Sequence, residues 1–209
     1  MRIKDEEQIA RRRDIIIAAA REIMETEGLE ALSIRKLANS LHQTPGIIYH
    51  YFAGKEELQL AVVQDGYQNI LRMIQESALT QTTYSDRLRC PLHSYLTGML
   101  KQPLLYQVIM QSKLPHVQEQ TAILQEDLRL RRKSIAMLCE CLEGGVKHGE
   151  FQVRQTELRA QSIWCCIYGL LERIIVEQPE ASYQERIIKE MLDLILDSLR
   201  PAGGKAEEK

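Results

Sequence analysis

Apolar residues recur at helical spacing along most of the chain, and no stretch alternates between apolar and polar positions as a half-buried strand does. The first helix is expected to run from about Gln8 to Glu27 and to stop at Gly28, a residue suited to the left-handed position after a helix. Ser33 can cap a second helix, and Thr44-Pro45 can open a third. The spacing therefore predicts an all-α fold.

The two C-terminal segments carry more apolar surface than one buried face requires. Residues 163–171 contain no charged side chain, and a helix that is apolar all round must be covered on every side. In the last helix the apolar residues from Ile187 to Leu199 span roughly 200°, whereas one core-facing stripe needs only about 100°. A second copy of the chain is the simplest cover for the excess, and deeper burial within one chain is the alternative. The residues expected at such a dimer interface are Ile187, Met191, Leu194 and Ile195.

The middle of the chain predicts one long helix, from about Val117 to Lys147. Its basic run, which consists of Arg129 and residues 131–133, is expected to form a solvated face, and a second anion site is the weaker alternative. The five cysteines are odd in number and match no zinc framework. Buried, reduced thiols are therefore expected.

The placement of charge is more informative than its sum. The net charge is −2, and residues 1–60 carry nine Lys and Arg against ten Asp and Glu. However, no Asp or Glu occurs between Ala31 and Lys55, a window that also holds Arg35 and Lys36. Because a helix-turn-helix without negative charge can lie against phosphates, this window predicts a DNA-binding surface.

The same window contains a multi-residue pattern at fixed spacing: Leu37-Ala38, then Thr44-x-Gly46-x-x-Tyr49-His50-Tyr51-Phe52, then Lys55-Glu56-x-Leu58. The pattern resembles the DNA-binding motif of the TetR family, the tetracycline-repressor-like one-component regulators. This resemblance implies an N-terminal three-helix helix-turn-helix domain, expected at residues 1–53. A larger helical domain for ligand binding and dimerisation is expected at residues 54–200, with a disordered tail at residues 201–209. The same resemblance implies dimerisation through the last two helices.

The resemblance further implies that DNA is contacted at Thr44, Gly46, Tyr49, His50 and Lys55. These positions agree with general chemistry, because the first residues of a helix in the major groove meet base edges. Lys55 also lies at a helix N-terminus, which attracts anions. Tyr49 could instead pack the small domain, as Tyr51 and Phe52 are expected to do.

The turn departs from the family, which usually has glycine and then an aliphatic residue where this chain has His42 and Gln43. Histidine tolerates a left-handed backbone better than most residues, and glutamine can pair with adenine. We therefore add His42, Gln43 and Pro45 to the expected DNA-binding residues. Arg35 is either a phosphate contact or a solvated charge. Residues 11–13, three arginines, are equally consistent with a minor-groove arm and with an ordinary charged helix face.

Other function classes find little support. There is no nucleophile elbow, phosphate-binding glycine loop or His-Glu metal spacing, so we expect no enzyme, no metal and no cofactor, with a helical enzyme as the remote alternative. We expect a repressor that is released by a small, largely apolar ligand, and the alternative is a DNA-binding regulator or architectural protein without such a ligand. The candidate pocket residues, each equally consistent with core packing, are Tyr95, Met99, Tyr106, Met110, Trp164 and Tyr168.

The expected partners are double-stranded DNA, a second copy of the chain and a small-molecule effector. The N-terminus is polar throughout and lacks a signal-peptide pattern. No apolar run approaches the length of a membrane span. A cytoplasmic location without membrane contact is therefore expected.

Overall fold

The computed structural model of the chain describes residues 2–103, 106, 110, 118 and 122–201. These residues form nine α-helices and no β-strand, which confirms the all-α prediction. A short 3-10 helix, Leu29–Ala31, follows the first. The helices are α1 (Arg2–Glu27), α2 (Ile34–Ser40), α3 (Pro45–Tyr51), α4 (Lys55–Leu79), α5 (Tyr84–Leu100), α6 (Leu128–Arg131), α7 (Lys133–Lys147), α8 (Thr156–Glu177) and α9 (Ala181–Asp197).

The chain divides into two compact units. The first comprises residues 1–69 and 102–121, and the second comprises residues 70–101 and 122–209. The division falls inside α4 and not after residue 53, because the first half of α4 belongs to the N-terminal core through Leu58 and the apolar residues at 61–63. Apart from Pro201, the expected disordered tail lies outside the described residues.

The core of the first unit is built from one apolar face of each of its helices. Ala20 of α1, Leu37 of α2 and Ile48 of α3 are completely buried. The first helix ends as expected, with Gly28 at φ +91°, and Ser33 caps α2 by accepting a hydrogen bond from the Lys36 N–H at 3.2 Å. These contacts fix α2 and α3 against α1.

The turn between α2 and α3 closes with a left-handed residue that is not glycine. His42 has φ +53°, which agrees with the conformation inferred from its place in the turn. The His42 N–H donates to the Asn39 carbonyl at 3.0 Å, and the Gln43 N–H donates to the Ala38 carbonyl at 2.8 Å. This pair of bonds is the Schellman arrangement, which satisfies the last carbonyls of a helix. The turn is therefore as tight as a glycine turn.

Arg13 of α1 joins the end of α3 to the start of α4. Its guanidinium donates to the Tyr51 carbonyl, the last of α3, and lies 4.1 Å from the centre of the Phe52 ring. It also pairs with Glu57 at 3.3 Å, and Glu57 in turn accepts the Ala53 N–H at 2.6 Å. A cation at a helix C-terminus and a carboxylate in a first turn are both favourable for the helix dipoles. Arg13 is therefore a structural residue and not part of a basic arm.

The second unit is a bundle in which α7 packs against α5 and α8, and α9 packs against the same two helices. Glu150, in the loop after α7, caps α5 by accepting the N–H groups of Tyr84 and Ser85, both at 2.9 Å. Gly145 of α7 lies under the buried ring of Phe151, and a Cβ there would come within 2.0 Å of that ring. These contacts hold the turn after α7 against α5.

The prediction of one continuous helix from Val117 to Lys147 is wrong. Residues 122–127 are not helical, and α6 and α7 are separated at Arg132, which has an extended backbone with φ −122° and ψ 113°. Apart from residue 118, residues 117–121 lie outside the described part of the chain. The basic run is not one solvated face either, because Arg132 is buried and donates to the Ala122 carbonyl at 2.7 Å. Arg132 therefore has an extended backbone and a buried side chain at a position where a helical turn was expected.

Replacing Arg13 with Met should lower the free energy of unfolding by about 1–2 kcal/mol, because a charge-assisted hydrogen bond and an ion pair are lost. Arg12→Met is the matched control, since Arg12 is exposed, and it should change the stability by less than about 0.5 kcal/mol. Urea unfolding followed by circular dichroism measures both. Equal losses in the two variants would contradict the role of Arg13.

Glu57 should make the stability depend on pH. The Ala53 N–H lowers the pKa of Glu57 below its ordinary value of 4.5; burial opposes this effect, and the Arg13 guanidinium lowers the pKa further. Its contribution is therefore present above pH 4.5 and is lost as the pH falls through the lowered value. Glu57→Gln should cost at most about 1 kcal/mol at neutral pH, since the group is exposed.

The loss in Glu57→Gln should shrink as the pH falls well below 4.5. Glu56→Gln is the control, because Glu56 is the exposed neighbour in the same helical turn. Urea midpoints measured across the acid range give the comparison. A Glu57→Gln loss that is the same at neutral and acid pH would show that the carboxylate charge is not responsible.

Candidate nucleic-acid interface, cavity and dimer face

One exposed surface is formed by α2, the turn and α3, and we call it the recognition surface. All of its members are exposed to solvent, and none of them carries a carboxylate. Tyr49 is 57% exposed, which favours a contact outside the domain over a place in its core. The recognition surface consists of Arg35, His42, Thr44, Gly46, Ile47, Tyr49 and His50.

The remaining predicted DNA-binding residues are less open. Gln43, Pro45 and Lys55 are half-buried. Thr44 is the N-cap residue of α3 by backbone geometry, but its side chain makes no capping hydrogen bond. The Thr44 hydroxyl is therefore not used by the helix and can donate to an outside acceptor.

Ile47 is the residue of this surface that sequence reasoning missed. It is 40% exposed, whereas its neighbour Ile48 is completely buried. Helical spacing could have found it, since a buried Ile48 places Ile47 about 100° away on the same helix. An exposed aliphatic side chain on a helix that enters the major groove suits the methyl group of thymine.

Two basic groups near the recognition surface are already partnered. Lys36 forms an ion pair with Glu27, and Arg13 is held by Tyr51 and Glu57. Arg11 and Arg12 are exposed. Of the three arginines at residues 11–13, only Arg11 and Arg12 are therefore available to reach a DNA backbone.

The predicted pocket residues do not form a single wall. Tyr95, Trp164 and Tyr168 pack against each other as an aromatic cluster, with Tyr95 edge-on to Trp164 at 4.9 Å and Trp164 stacked on Tyr168 at 5.4 Å. Met99 is buried in the same unit. Tyr106 is buried and Met110 is 37% exposed, and both belong to the first unit.

A cavity of about 330 Å³ lies beside the aromatic cluster in the second unit, and Trp164 is the one predicted residue in its wall. Most of the wall is apolar, and it also contains Arg87, Ser134, Glu140 and Cys141. Sequence reasoning missed these positions because they are contributed by several helices. The apolar wall residues are Ile74, Ala78, Tyr84, Leu88, Pro91, Leu92, Met137 and Leu138.

The last two helices expose apolar groups that the chain itself does not cover. Leu194 of α9 is 62% exposed, whereas Ile195 is only 5% exposed and packs within its own chain. Ile187 and Met191 are half-buried. The other exposed members of this surface, which we call the dimer face, are Leu158, Cys165, Cys166, Gly169, Val176 and Tyr183.

All five cysteines are free thiols. Burial raises the pKa of Cys139 to about 11 and that of Cys141 to about 12, so neither is a reactive thiolate at neutral pH. The expectation of buried thiols is wrong for Cys165 and Cys166, which are exposed on the dimer face.

Within the described residues, no group of three or more His, Cys, Asp or Glu side chains is arranged to hold a metal ion. None of the described helices is both long enough and apolar enough to cross a membrane.

Residues 16–62 match the family model of the bacterial regulatory proteins of the tetR family. The chain is similar to the transcriptional repressor AcnR of Corynebacterium diphtheriae, with 24% identity over 94 residues, 45% of this chain and 50% of the relative. It is also similar to the transcriptional activator FasR of Mycolicibacterium smegmatis, with 27% identity over 84 residues, 40% of this chain and 38% of the relative. The chain thus spans half or less of the length of these curated relatives.

The fold is that of a crystal structure of a tetR-family regulatory protein from Rhodococcus RHA1, with a TM-score of 0.65 and 22% identity, covering 91% of this chain and 97% of that one. The relatives are regulators of transcription, in line with the expectation that the chain is not an enzyme. The matched segment contains the whole recognition surface and all of the buried N-terminal core except Val63. The N-terminal segment of the chain thus matches the bacterial regulatory proteins of the tetR family, and the chain as a whole shares the fold of a solved member.

Proposed function

We propose that the protein is a DNA-binding transcriptional regulator that binds a palindromic operator as a homodimer and is released by a small, largely apolar ligand. The recognition surface carries this proposal. It is exposed, offers several hydrogen-bond donors, and contains no carboxylate that would repel phosphates. Such a surface has no evident use in an enzyme or in a structural protein.

In this proposal the N-terminal end of α3 enters the major groove. Thr44 and Gly46 then approach the base edges, and the missing side chain of Gly46 permits close contact with its backbone. Tyr49 and His50, three and four residues further on, direct polar tips toward phosphate oxygens. Lys55 adds a cation at the start of α4, where free backbone N–H groups also favour an anion. Ile47 contributes an apolar contact.

The exposed dimer face supports the proposal of a homodimer. An apolar surface on the last two helices is stabilised when a second copy covers it. Two copies related by a two-fold axis present two equivalent recognition surfaces, so the preferred DNA site is a palindrome.

The cavity of the second unit supports control by a ligand. It is enclosed mainly by apolar groups, as small-molecule sites usually are. A ligand that weakens DNA binding must itself bind more weakly to the DNA-bound protein, by the same factor. Typical coupling changes the affinity by roughly 5–150-fold.

We propose repression as the direction of control, because occupancy of an operator is sufficient to exclude polymerase. An activator needs an additional surface that contacts polymerase. The curated relatives include one repressor and one activator, so membership in the family does not decide between them. A reporter gene placed behind the operator measures the direction directly.

The experiment that tests DNA binding is selection of genomic DNA fragments on the full-length protein, followed by competition against random duplex. The selected site should be palindromic and should bind at least a thousandfold more tightly than random DNA. Equal affinity for both would contradict the proposal of a specific regulator.

Lys55→Ala should weaken binding to all duplexes and should reduce the slope of log K against log salt by about one unit, since one phosphate contact is removed. Lys147→Ala is the control, because Lys147 is an exposed lysine at the end of α7. Fluorescence anisotropy over a salt series gives both slopes. An unchanged slope in Lys55→Ala would remove this residue from the interface.

Gln43→Ala should behave differently from Lys55→Ala. It should relax the preference for particular bases of the operator, by about 1–3 kcal/mol at the affected pair, without changing the salt slope. Binding of the variant to a set of single-base operator changes measures this. A uniform loss at every position would show that Gln43 contacts the backbone only.

Leu194→Glu should split the dimer, because a charge would be buried in an apolar interface at a cost of several kcal/mol, or roughly a hundredfold or more in dimer affinity. Leu194 is the appropriate position, since a charge at Ile195 would also disrupt the protomer. Lys189→Glu, on another side of α9, is the control. Sedimentation velocity measures the oligomeric state.

Alkylation provides a second readout of the dimer. Cys165 and Cys166 are exposed in a single chain and should be protected in the wild-type dimer but modified in Leu194→Glu. Mass spectrometry after brief treatment with iodoacetamide resolves the two states. A monomeric wild type at micromolar concentration would contradict the dimer.

A further inference from the structure

The cavity is lined by stretches of two helices, and its polar wall residues fall into two groups. It is lined along one side by the α5 residues from Tyr84 to Leu92 and along the other by the α7 residues from Ser134 to Cys141. At one end the Cys141 thiol lies 3.6 Å from the Tyr84 carbonyl. Ser134 lies seven positions from Cys141 on the same helix, which is about 10 Å at 1.5 Å per residue.

The end near Tyr84 already holds one charge of each sign. Arg87 and Glu140 line it, and both are exposed, so water and the opposite charge compete with any ligand there. The Arg87 guanidinium also donates to the Gln81 carbonyl at 3.0 Å and lies over the Tyr84 ring. A charged ligand group gains little at this end.

The other two polar wall residues are buried. Trp164 is 5% exposed, and its indole N–H has no hydrogen-bond acceptor. Ser134 is 6% exposed. A buried donor without an acceptor is unfavourable, so an acceptor brought to Trp164 is bound more strongly than one at an exposed position.

Arg132 lies behind Ser134. It is 7% exposed, its guanidinium approaches the Ser134 hydroxyl at 3.5 Å, and its Nε has no partner. Its other contact is the neutral carbonyl of Ala122. None of the ion pairs of the described residues includes Arg132. A buried cation that has no anion partner among the described residues raises the affinity of its surroundings for negative charge.

Trp164 contacts Tyr95, eleven positions past Tyr84 on α5, so it lies away from the Tyr84 end. We propose that the ligand of this cavity is an apolar molecule that ends in a carboxylate, and that the carboxylate binds near Ser134, away from the Tyr84 end, where it is neutralised by Arg132. The apolar body lies between Leu88, Leu92 and Leu138. This inference rests on the proposed ligand control, for which it names the chemical class. The opposite orientation, with the carboxylate at Arg87, is one outcome of the test.

The test compares carboxylates with their neutral, isosteric amides. Octanoate, decanoate, dodecanoate and 4-phenylbutyrate, and the primary amide of each, are titrated into the full-length protein. Trp164 is the only tryptophan, so its fluorescence reports binding. At least one carboxylate should bind about tenfold more tightly than its amide, as expected when a charged acceptor replaces a neutral one.

Arg132→Met should abolish the preference for the carboxylate and leave the affinity for the amide unchanged, while Arg132→Lys should retain much of the preference. Because Arg132 is buried, thermal unfolding checks the fold of each variant. Ser134→Ala alters the wall of the cavity itself and should weaken carboxylate binding. This variant tests the site if Arg132→Met does not fold. Loss of the preference in Arg87→Met instead would overturn the proposed orientation. Equal binding of amides, or no binding of any carboxylate, would overturn the ligand class.

The same compounds are added to the protein–operator complex. Carboxylate binding without release of DNA would support the ligand class and contradict ligand control. Release of DNA by a neutral apolar compound, with no carboxylate binding, would support ligand control and contradict the ligand class. The two proposals therefore fail separately.

Discussion

The position of the recognition surface depends most on the contacts that the Arg13 guanidinium makes. The third helix is only seven residues long, and a helix of that length is not stable alone in water. Its position must therefore come from tertiary contacts, which are the buried Ile48 beneath it and Arg13 at its end. Since Arg13 also binds Glu57, the same group fixes the start of α4. The residues proposed to contact DNA are thus placed by a residue that is not expected to touch it.

Local sequence signals accounted for much of this architecture. Gly28, Ser33 and His42 could be assigned because a helix end or cap requires a particular backbone conformation or side chain at one position. Phe52 was expected in the core, and an outward position of Tyr49 was favoured, with packing in the small domain as its alternative. In each case the deciding interaction lies within a few residues along the chain.

Contacts between distant segments could not be predicted in the same way. Arg13 and Glu57 are 44 positions apart, and nothing in the local pattern distinguishes Arg13 from the arginines beside it. The basic run after Arg129 looked like a solvated face because its burial depends on the carbonyl of Ala122, in a segment without helical structure. The cavity wall comes from four helices, so only Trp164 could be named from spacing on one of them.

The two proposed sites have a similar distribution of charge. Carboxylates are absent from the recognition surface, and Glu27 and Glu57 near it are each paired with a basic side chain. In the second unit, a cation is buried behind the cavity without a carboxylate partner among the described residues. Both arrangements are suited to an anion that the protein does not itself supply, a phosphate in one case and a ligand carboxylate in the other.

Sequence-specific DNA binding by a dimer is tested most directly by a hydroxyl-radical footprint of the full-length protein on DNA selected from genomic fragments. A dimer on a palindromic operator should give two protected regions of equal size, related by the two-fold axis of the palindrome and separated by about one helical turn or a multiple of it. Protection should disappear when Tyr49 and His50 are both replaced with Ala. A single asymmetric footprint, or uniform protection along the whole fragment, would contradict a dimer that reads a specific operator.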